Sequence, residues 1–359
     1  MDVEVLGDGE RLAALRPEWN ALVAGSSRPR PLLTHEWFTT AVRHFGRGEF
    51  AVVCFRDGGR LVGLAPLRSD LTRVAGLPLL RRLQFAVDVA DCRDVIAESG
   101  AEWPVVESLY EWLASASLRW DLLRLRGLCS HSPTHDYLPL LATHAGLAAT
   151  AWRTAPCANI HLPPSMDEFL EQMPNRRRCH AYLQKGRKLL REHGPLSLRV
   201  ARGPEISEAD LDLLCNLHHG SWRSRGGSNV LVGTFCGFIR SLTAALAPTG
   251  QTLLAFQRVG DREVAAQYGF LIGQRFFLYV VGFDSEFASY SVGSQALLTL
   301  VEHGITHGWT EIDLMNGGEQ YKFDFTRHCC RAADVWIARN ARLLRLACAV
   351  AALRGRARL

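Results

Sequence analysis

The sequence predicts an α/β protein of two tandem domains, each a mixed central sheet flanked by helices. Three observations predict it. The chain has 359 residues and is 48% hydrophobic, enough to bury two cores rather than one. Residues 51–68 and 253–271 each read as two β-rich runs around a tight turn, Asp57-Gly58-Gly59 in the first and Gly260-Asp261 in the second. Each hairpin is followed by a helical run and then a strand opened by tryptophan. These are 104–117 and 120–125 in the first half, 294–308 and 309–314 in the second. The three elements recur at a spacing of about 190 residues, far longer than a solenoid repeat. The periodicity breaks near Pro163-Pro164. That predicts an N-terminal domain over 1–164, a C-terminal domain over 165–338 and a basic tail over 339–359.

Taken in order, the first helix places Val105, Leu109, Trp112 and Leu113 on one face. The stretch 76–100 before it offers no glycine-led helix start, so the first domain reads as a scaffold or an acceptor-side wall. Early in the C-terminal domain lies a basic run, 175–191, with Arg176, Arg177, Arg178, Lys185, Arg187, Lys188 and Arg191. A helical reading puts Arg187 and Arg191 on one face, with Leu183 and Leu190 near the opposite side. Such a cluster can meet the phosphates of coenzyme A, a nucleotide-sugar or tRNA. In the second domain, Ser291-Val292-Gly293-Ser294 sits just before the apolar helix, and backbone N–H groups at a helix start can hold an anionic carrier. The carrier-binding candidates are therefore Ser291, Gly293 and Ser294, with Arg178, Arg187 and Arg191.

Tyr321-Lys322 lies just beyond the strand that follows, where a lysine can face a reacting carbonyl. Attack of an amine on an ester or thioester puts charge on the carbonyl oxygen, and a fixed cation there favours the transition state. Lys322 is the candidate for that role. Tyr321, Asp284 or Asp313 would manage the proton of the attacking amine. Asp284 follows a strand, and Asp313 interrupts an apolar one, where a carboxylate is costly unless paired. Glu319 and Tyr290 are further alternatives. Gln267 breaks an apolar strand between Ala266 and Tyr268, and with Tyr290 and Phe325 it is a substrate-binding candidate.

Several classes are excluded or disfavoured. A net charge of +5 does not make the whole fold a polyanion binder, and DNA is not an expected partner. No apolar run reaches the roughly 18–20 residues of a membrane span, and the N-terminus lacks a signal-peptide layout. Ten cysteines without C-x-x-C spacing suit reduced thiols and a cytoplasmic location. His303 and His307, four apart, have no third ligand, so no metal and no tightly bound cofactor are expected. No phosphate-loop or dinucleotide fingerprint supports ATP hydrolysis or hydride transfer.

On these residues the chain resembles the GNAT acyltransferase superfamily, in its branch with two tandem GNAT-like domains. That branch includes the Fem-type peptidyl transferases and the CelD-type proteins of polysaccharide biosynthesis. Ordinary GNAT enzymes carry Q/R-x-x-G-x-G/A before the helix. Here Gly293 sits at the last glycine, Ser291 replaces the first, and Ala288 replaces the leading Gln/Arg. Gly282-Phe283-Asp284 before the Tyr290-Ser291-Val292-Gly293 turn is similar to the CelD-type pattern. So is Tyr321-Lys322 with Phe325, although Asn316, Gly317, Gly318, Glu319 and Gln320 stand where that pattern has R-G-D-E-P. Fem-type transferases carry F-K-x-x-F with a lysine implicated in catalysis, which Lys322 and Phe325 resemble. The resemblance implies transfer of an acyl or aminoacyl group from a carrier to a primary amine on a small molecule or glycan. Acyl-CoA is the default co-substrate. One alternative is an aminoacyl-tRNA donor in cell-wall or natural-product assembly. Another, from a different class, is a non-catalytic scaffold in exopolysaccharide biosynthesis. The tail reads as a docked helix, or as a peripheral contact to a membrane or tRNA.

Overall fold

Both hairpins close at their glycines. Asp57 pairs with Arg60 across Gly58 and Gly59, at φ +55° and +83°, the backbone of a type I′ turn. In the second, Gly260 at φ +57° takes the first central position, as a type II′ turn requires. The computed structural model describes all residues except 47–48, 75–76, 88, 90–92, 116–118, 130, 224–229 and 357–359. The predicted helix end at 116–117 and the last residues of the tail therefore lie outside the described residues. So does part of the glycine-poor stretch 76–100.

The chain runs β1 (Asp2–Leu6), α1 (Gly9–Ala14), α2 (Arg16–Gly25), α3 (His35–Phe45), β2 (Phe50–Asp57), β3 (Arg60–Val74), β4 (Leu77–Phe85) and β5 (Ile96–Ala97). Next come α4 (Glu102–Ala114), β6 (Leu122–Cys129), α5 (Pro133–His144) and β7 (Ala148–His161). After them come α6 (Met166–Gln172), α7 (Arg176–His193), β8 (Leu196–Arg202), α8 (Glu208–Trp222), α9 (Thr234–Leu246), β9 (Thr252–Val259), β10 (Arg262–Ile272) and β11 (Arg275–Phe283). The chain ends with α10 (Val292–Thr306), β12 (Glu311–Asn316), α11 (Lys322–Phe325), β13 (Cys329–Ala338) and α12 (Ala341–Arg356).

The chain divides into two units, 1–155 with 330–359, and 156–329. In the first the strand order is β1-β2-β3-β4-β6-β13, with β5 beside β3. In the second it is β8-β9-β10-β11-β12-β7. Each is an antiparallel meander, then a helix, then a strand parallel to the last of the meander: β6 beside β4, and β12 beside β11. The repeated hairpin, helix and strand of the sequence are therefore one recurring sheet plan. α4 seats Val105, Leu109 and Leu113 on a core with Val53, Phe55, Leu123 and Leu125. α10 seats Leu297, Leu300 and Val301 against Phe276, Ile312 and Trp309.

The boundaries differ from the predicted 164/165 and 338/339. Each sheet closes with an antiparallel strand on the open edge of β6 or β12. For β6 that strand is β13, which returns residues from 330 onward to the first unit. For β12 it is the end of β7, so the second unit starts at 156. The tail forms α12, which packs Leu344 and Ala347 on Leu122 and Trp336 of the first unit.

The basic run forms α7, but its buried stripe is Cys179, Tyr182, Gly186 and Leu189, and Leu190 is exposed. The drift of 3.6 residues per turn carries the stripe one position short of Leu190. Among the described residues no helix is long and apolar enough to cross a membrane, and no cluster of three or more metal-ligating side chains occurs. His303 and His307 instead stack 3.9 Å apart at the end of α10. Burial, and then His307, push the His303 imidazole down to about 4 from 6.5. Between those values the unfolded chain binds the extra proton, so stability is expected to fall as pH drops from about 6.5 towards 4. Urea midpoints at pH 7 and pH 5 check this, and His303→Gln should narrow the gap between them.

Candidate active site

The second unit has a split in its sheet. β11 and β12 run parallel but pair only at Arg275–Glu311, Phe276–Ile312 and Phe277–Asp313. Two irregularities drive them apart. An extra residue in β11, Tyr279, faces the Tyr268–Gly269 step of β10. In β12, Met315 sits at φ +60° and the ladder to β7 shifts between Asp313 and Asn316. Bulges bend a strand and increase its twist. The gap opens into a cleft of about 330 Å³, lined by Gln267 of β10, Gly282 and Phe283 of β11, Trp222 at the end of α8, the start of α10, Glu319 and Tyr321.

The α10 start on this cleft is electropositive. Ser291, in the left-handed region at φ +56°, precedes α10, whose first turn has neither a side-chain cap nor an acidic residue. The Ser291 hydroxyl accepts a hydrogen bond from Lys185 Nζ of α7 at 2.8 Å. An ammonium beside a helix N-terminus opposes the helix dipole unless an anion joins them, and Lys185 has no acidic partner among the described residues. α7 comes this close through Gly186, where a Cβ would lie 2.8 Å from Gln295 Oε1, and Gln295 Nε2 donates to the Tyr182 carbonyl. The corresponding helix of the first unit, α4, begins instead with Glu102, whose carboxylate accepts the Gly100 N–H at 2.7 Å.

The lining also carries acceptors. Gln267 is 4% exposed, and its Oε1 is buried without a donor. A buried acceptor left unmatched costs about 1–3 kcal/mol, and a ligand N–H removes that cost. Also on the cleft wall is Glu319, 51% exposed, whose carboxylate is 2.9 Å from Lys322 Nζ. Lys322 is 4% exposed and also donates to the Asn316 carbonyl at 3.1 Å.

Residues 176–323 match the family described as an acetyltransferase (GNAT) domain. That stretch, within the second unit, is similar to a GNAT acetyltransferase domain. A comparison with curated proteins gives no match. Solved structures of similar fold include FemX, at 12% identity and a TM-score of 0.61, covering 92% of this chain and 96% of that one. Another is the C-terminal domain of a putative lysylphosphatidylglycerol synthetase from Agrobacterium fabrum, at 12% identity and a TM-score of 0.57, covering 96% and 95%. A third is L-PGS from Bacillus licheniformis, at 11% identity and a TM-score of 0.55, covering 96% of each chain.

Within that stretch, Gln267, Ser291, Gly293, Ser294 and Tyr321 all line the cleft. So does Glu319, while the remaining residues singled out from the sequence lie elsewhere. Lys322 turns its ammonium to the 316–319 loop. Asp313 is 1% exposed, and its carboxylate accepts the Met315 N–H at 2.8 Å, holding the bulge. Asp284 caps the 3-10 turn Ser285–Tyr290 through the Glu286 N–H and pairs with Arg262. Tyr290 donates to Glu192 at 2.6 Å on α7. Phe325 is buried and stacks on Tyr182 at 5.7 Å. Arg178, Arg187 and Arg191 are exposed on α7 and do not line the cleft. Two features had no signal in the sequence. Lys185 meets Ser291 across 106 residues. The Tyr182 hydroxyl donates to the buried Asp324 carboxylate at 2.7 Å, which raises the phenol above its usual range through burial and then through that bond.

Proposed function

We propose that the GNAT-like domain is an N-acyltransferase whose cleft holds a phosphate-bearing acyl carrier at the start of α10 and a primary amine at Gln267. The observation that carries this reading is the polarity of the cleft. A helix start with an ammonium beside it, an unmatched buried acceptor and a carboxylate share one cleft. The uncapped first turn, which holds no acidic residue, and Lys185 fit the diphosphate of acyl-CoA, which supplies the activated carbonyl. Gln267 Oε1 accepts one N–H of the amine and aims its lone pair. Glu319 takes the proton released on attack, and collapse of the tetrahedral intermediate breaks the C–S bond and releases coenzyme A as its thiolate, which takes up a proton. Lys322 acts as a positioning residue, fixing the Glu319 carboxylate and the Asn316 carbonyl. In this reading Tyr321, on the wall, donates towards the developing oxyanion.

Mass-spectrometric detection of amide product from acetyl-CoA and a panel of primary amines tests this. Absence of product, with no binding of coenzyme A, overturns it. Gln267→Leu should raise KM for the amine about tenfold or more while leaving stability unchanged or slightly higher, since an unmatched buried acceptor is replaced by an apolar group of similar size. An unchanged KM would remove Gln267 from the acceptor site. The exposed arginines of α7 favour a second reading, in which the carrier is aminoacyl-tRNA. One relative of similar fold is named for lysylphosphatidylglycerol, an aminoacylated lipid. Amine-dependent deacylation of aminoacyl-tRNA, weakening steeply with salt, distinguishes it from acyl-CoA use.

A further inference from the structure

A second polar cavity, of about 420 Å³, lies in the same unit and shares no lining residue with the cleft. Four cationic or potentially cationic side chains reach it from three places in the chain. Arg176 is the first residue of α7, His161 ends β7, and Arg327 and His328 lie between α11 and β13. Phe169 and Phe325, both buried, form an apolar floor, and Glu171 is the one carboxylate on the lining. Neither Arg176 nor Arg327 has an ion-pair partner among the described residues.

The platform that carries Arg327 is fixed on both sides. Thr326 Oγ1 donates to the Asn159 carbonyl at 2.7 Å and accepts the His328 N–H at 3.0 Å. The Asn159 N–H in turn donates to the His328 carbonyl at 3.0 Å. The His161 and His328 rings meet edge to face at 4.6 Å. Holding donors in place before a ligand arrives lowers the ordering cost of binding. Arg176 adds its charge at a helix start whose first turn has no acidic residue. Planar guanidinium groups match phosphate oxygens two at a time. The volume beyond them leaves room for an organic group against the two phenylalanines.

We propose that this cavity binds the phosphate or diphosphate end of a small phosphorylated molecule, at a site separate from the acyl-transfer cleft. It stands independently of the acyl-transfer reading. The test is calorimetric titration of the whole chain with inorganic pyrophosphate at fixed salt. It compares wild type, Arg176→Ala, Arg327→Ala and, as a control on the same helix outside the cavity, Arg187→Ala. All three arginines are exposed, so the variants should fold, and thermal midpoints verify it. The expected result is about tenfold weaker binding for Arg176→Ala and for Arg327→Ala, with Arg187→Ala within about twofold of wild type. Ring signals of His161 and His328 in histidine-labelled protein should shift as pyrophosphate is added. Equal losses in all three variants would mean general charge attraction and overturn the proposal. Binding insensitive to Arg176 and Arg327 would assign pyrophosphate to the α10 start and overturn it as well. So would a marked preference for a short single-stranded RNA over pyrophosphate, which would make the patch a nucleic-acid surface.

Discussion

Lys322→Ala is expected to lower kcat/KM by about a hundredfold, roughly 2.7 kcal/mol in transition-state stabilisation. The ammonium is buried and joins two parts of one loop, the Asn316 carbonyl at 3.1 Å and the Glu319 carboxylate at 2.9 Å. Without it the carbonyl loses a charged donor and Glu319 is free to swing into solvent. If Lys322 works through Glu319, the double variant Lys322→Ala/Glu319→Gln loses little more than the worse single variant, because one unit is removed twice. If Lys322 touches the oxyanion itself, the two losses add. Lys322→Arg, which retains the charge, should recover part of the activity under the first account. Stability has to be followed in parallel, since truncating a buried side chain also leaves a void.

Gly282→Ala is expected to cost about 3 kcal/mol of stability and to disturb the cleft. A Cβ at Gly282 would lie 2.3 Å from the His218 backbone nitrogen and 2.6 Å from the Leu217 carbonyl carbon. Both are backbone atoms of α8, so no rotamer change relieves the clash, and the helix must move away from β11. That motion strains the 2.7 Å bond between the His218 ring and the Val281 carbonyl. It also displaces Ser221 and Trp222, the cleft-lining end of α8. Gly220→Ala on the same helix is the control. Its nearest neighbour would be the Phe283 carbonyl oxygen at 3.9 Å, so the helix-favouring methyl should be neutral or stabilising by up to about 1 kcal/mol. Chemical denaturation of the two variants settles the comparison, and equal stabilities would refute the close-approach account.

What the sequence made visible was local. Turn glycines at 58–59 and 260, the 3.6-residue stripe of α4 and α10 and the alternating strands all act over a few residues. Gln267 could be picked out because a polar side chain in an apolar strand needs a reason. Asp284 and Asp313 had the same appearance, yet short-range turn chemistry claims them: one caps a helical turn, the other a bulge. Nothing local records which way Lys322 points, because its partners are set by the path of the 316–319 loop. Pairings such as Lys185 with Ser291 depend on how α7 crosses α10. Strand existence was legible, but strand partnership was not, since an edge can accept any strand of the right register.

The strand β13 has a consequence for how the protein is made. The first unit is synthesised first, but the open edge of β6 cannot be covered until residues 330–338 have left the ribosome. By then every residue of the second unit has been made. The nascent chain therefore carries an unpaired sheet edge through most of its translation, a recognised hazard for aggregation. Of the two units, the one whose synthesis starts first is the last to be finished.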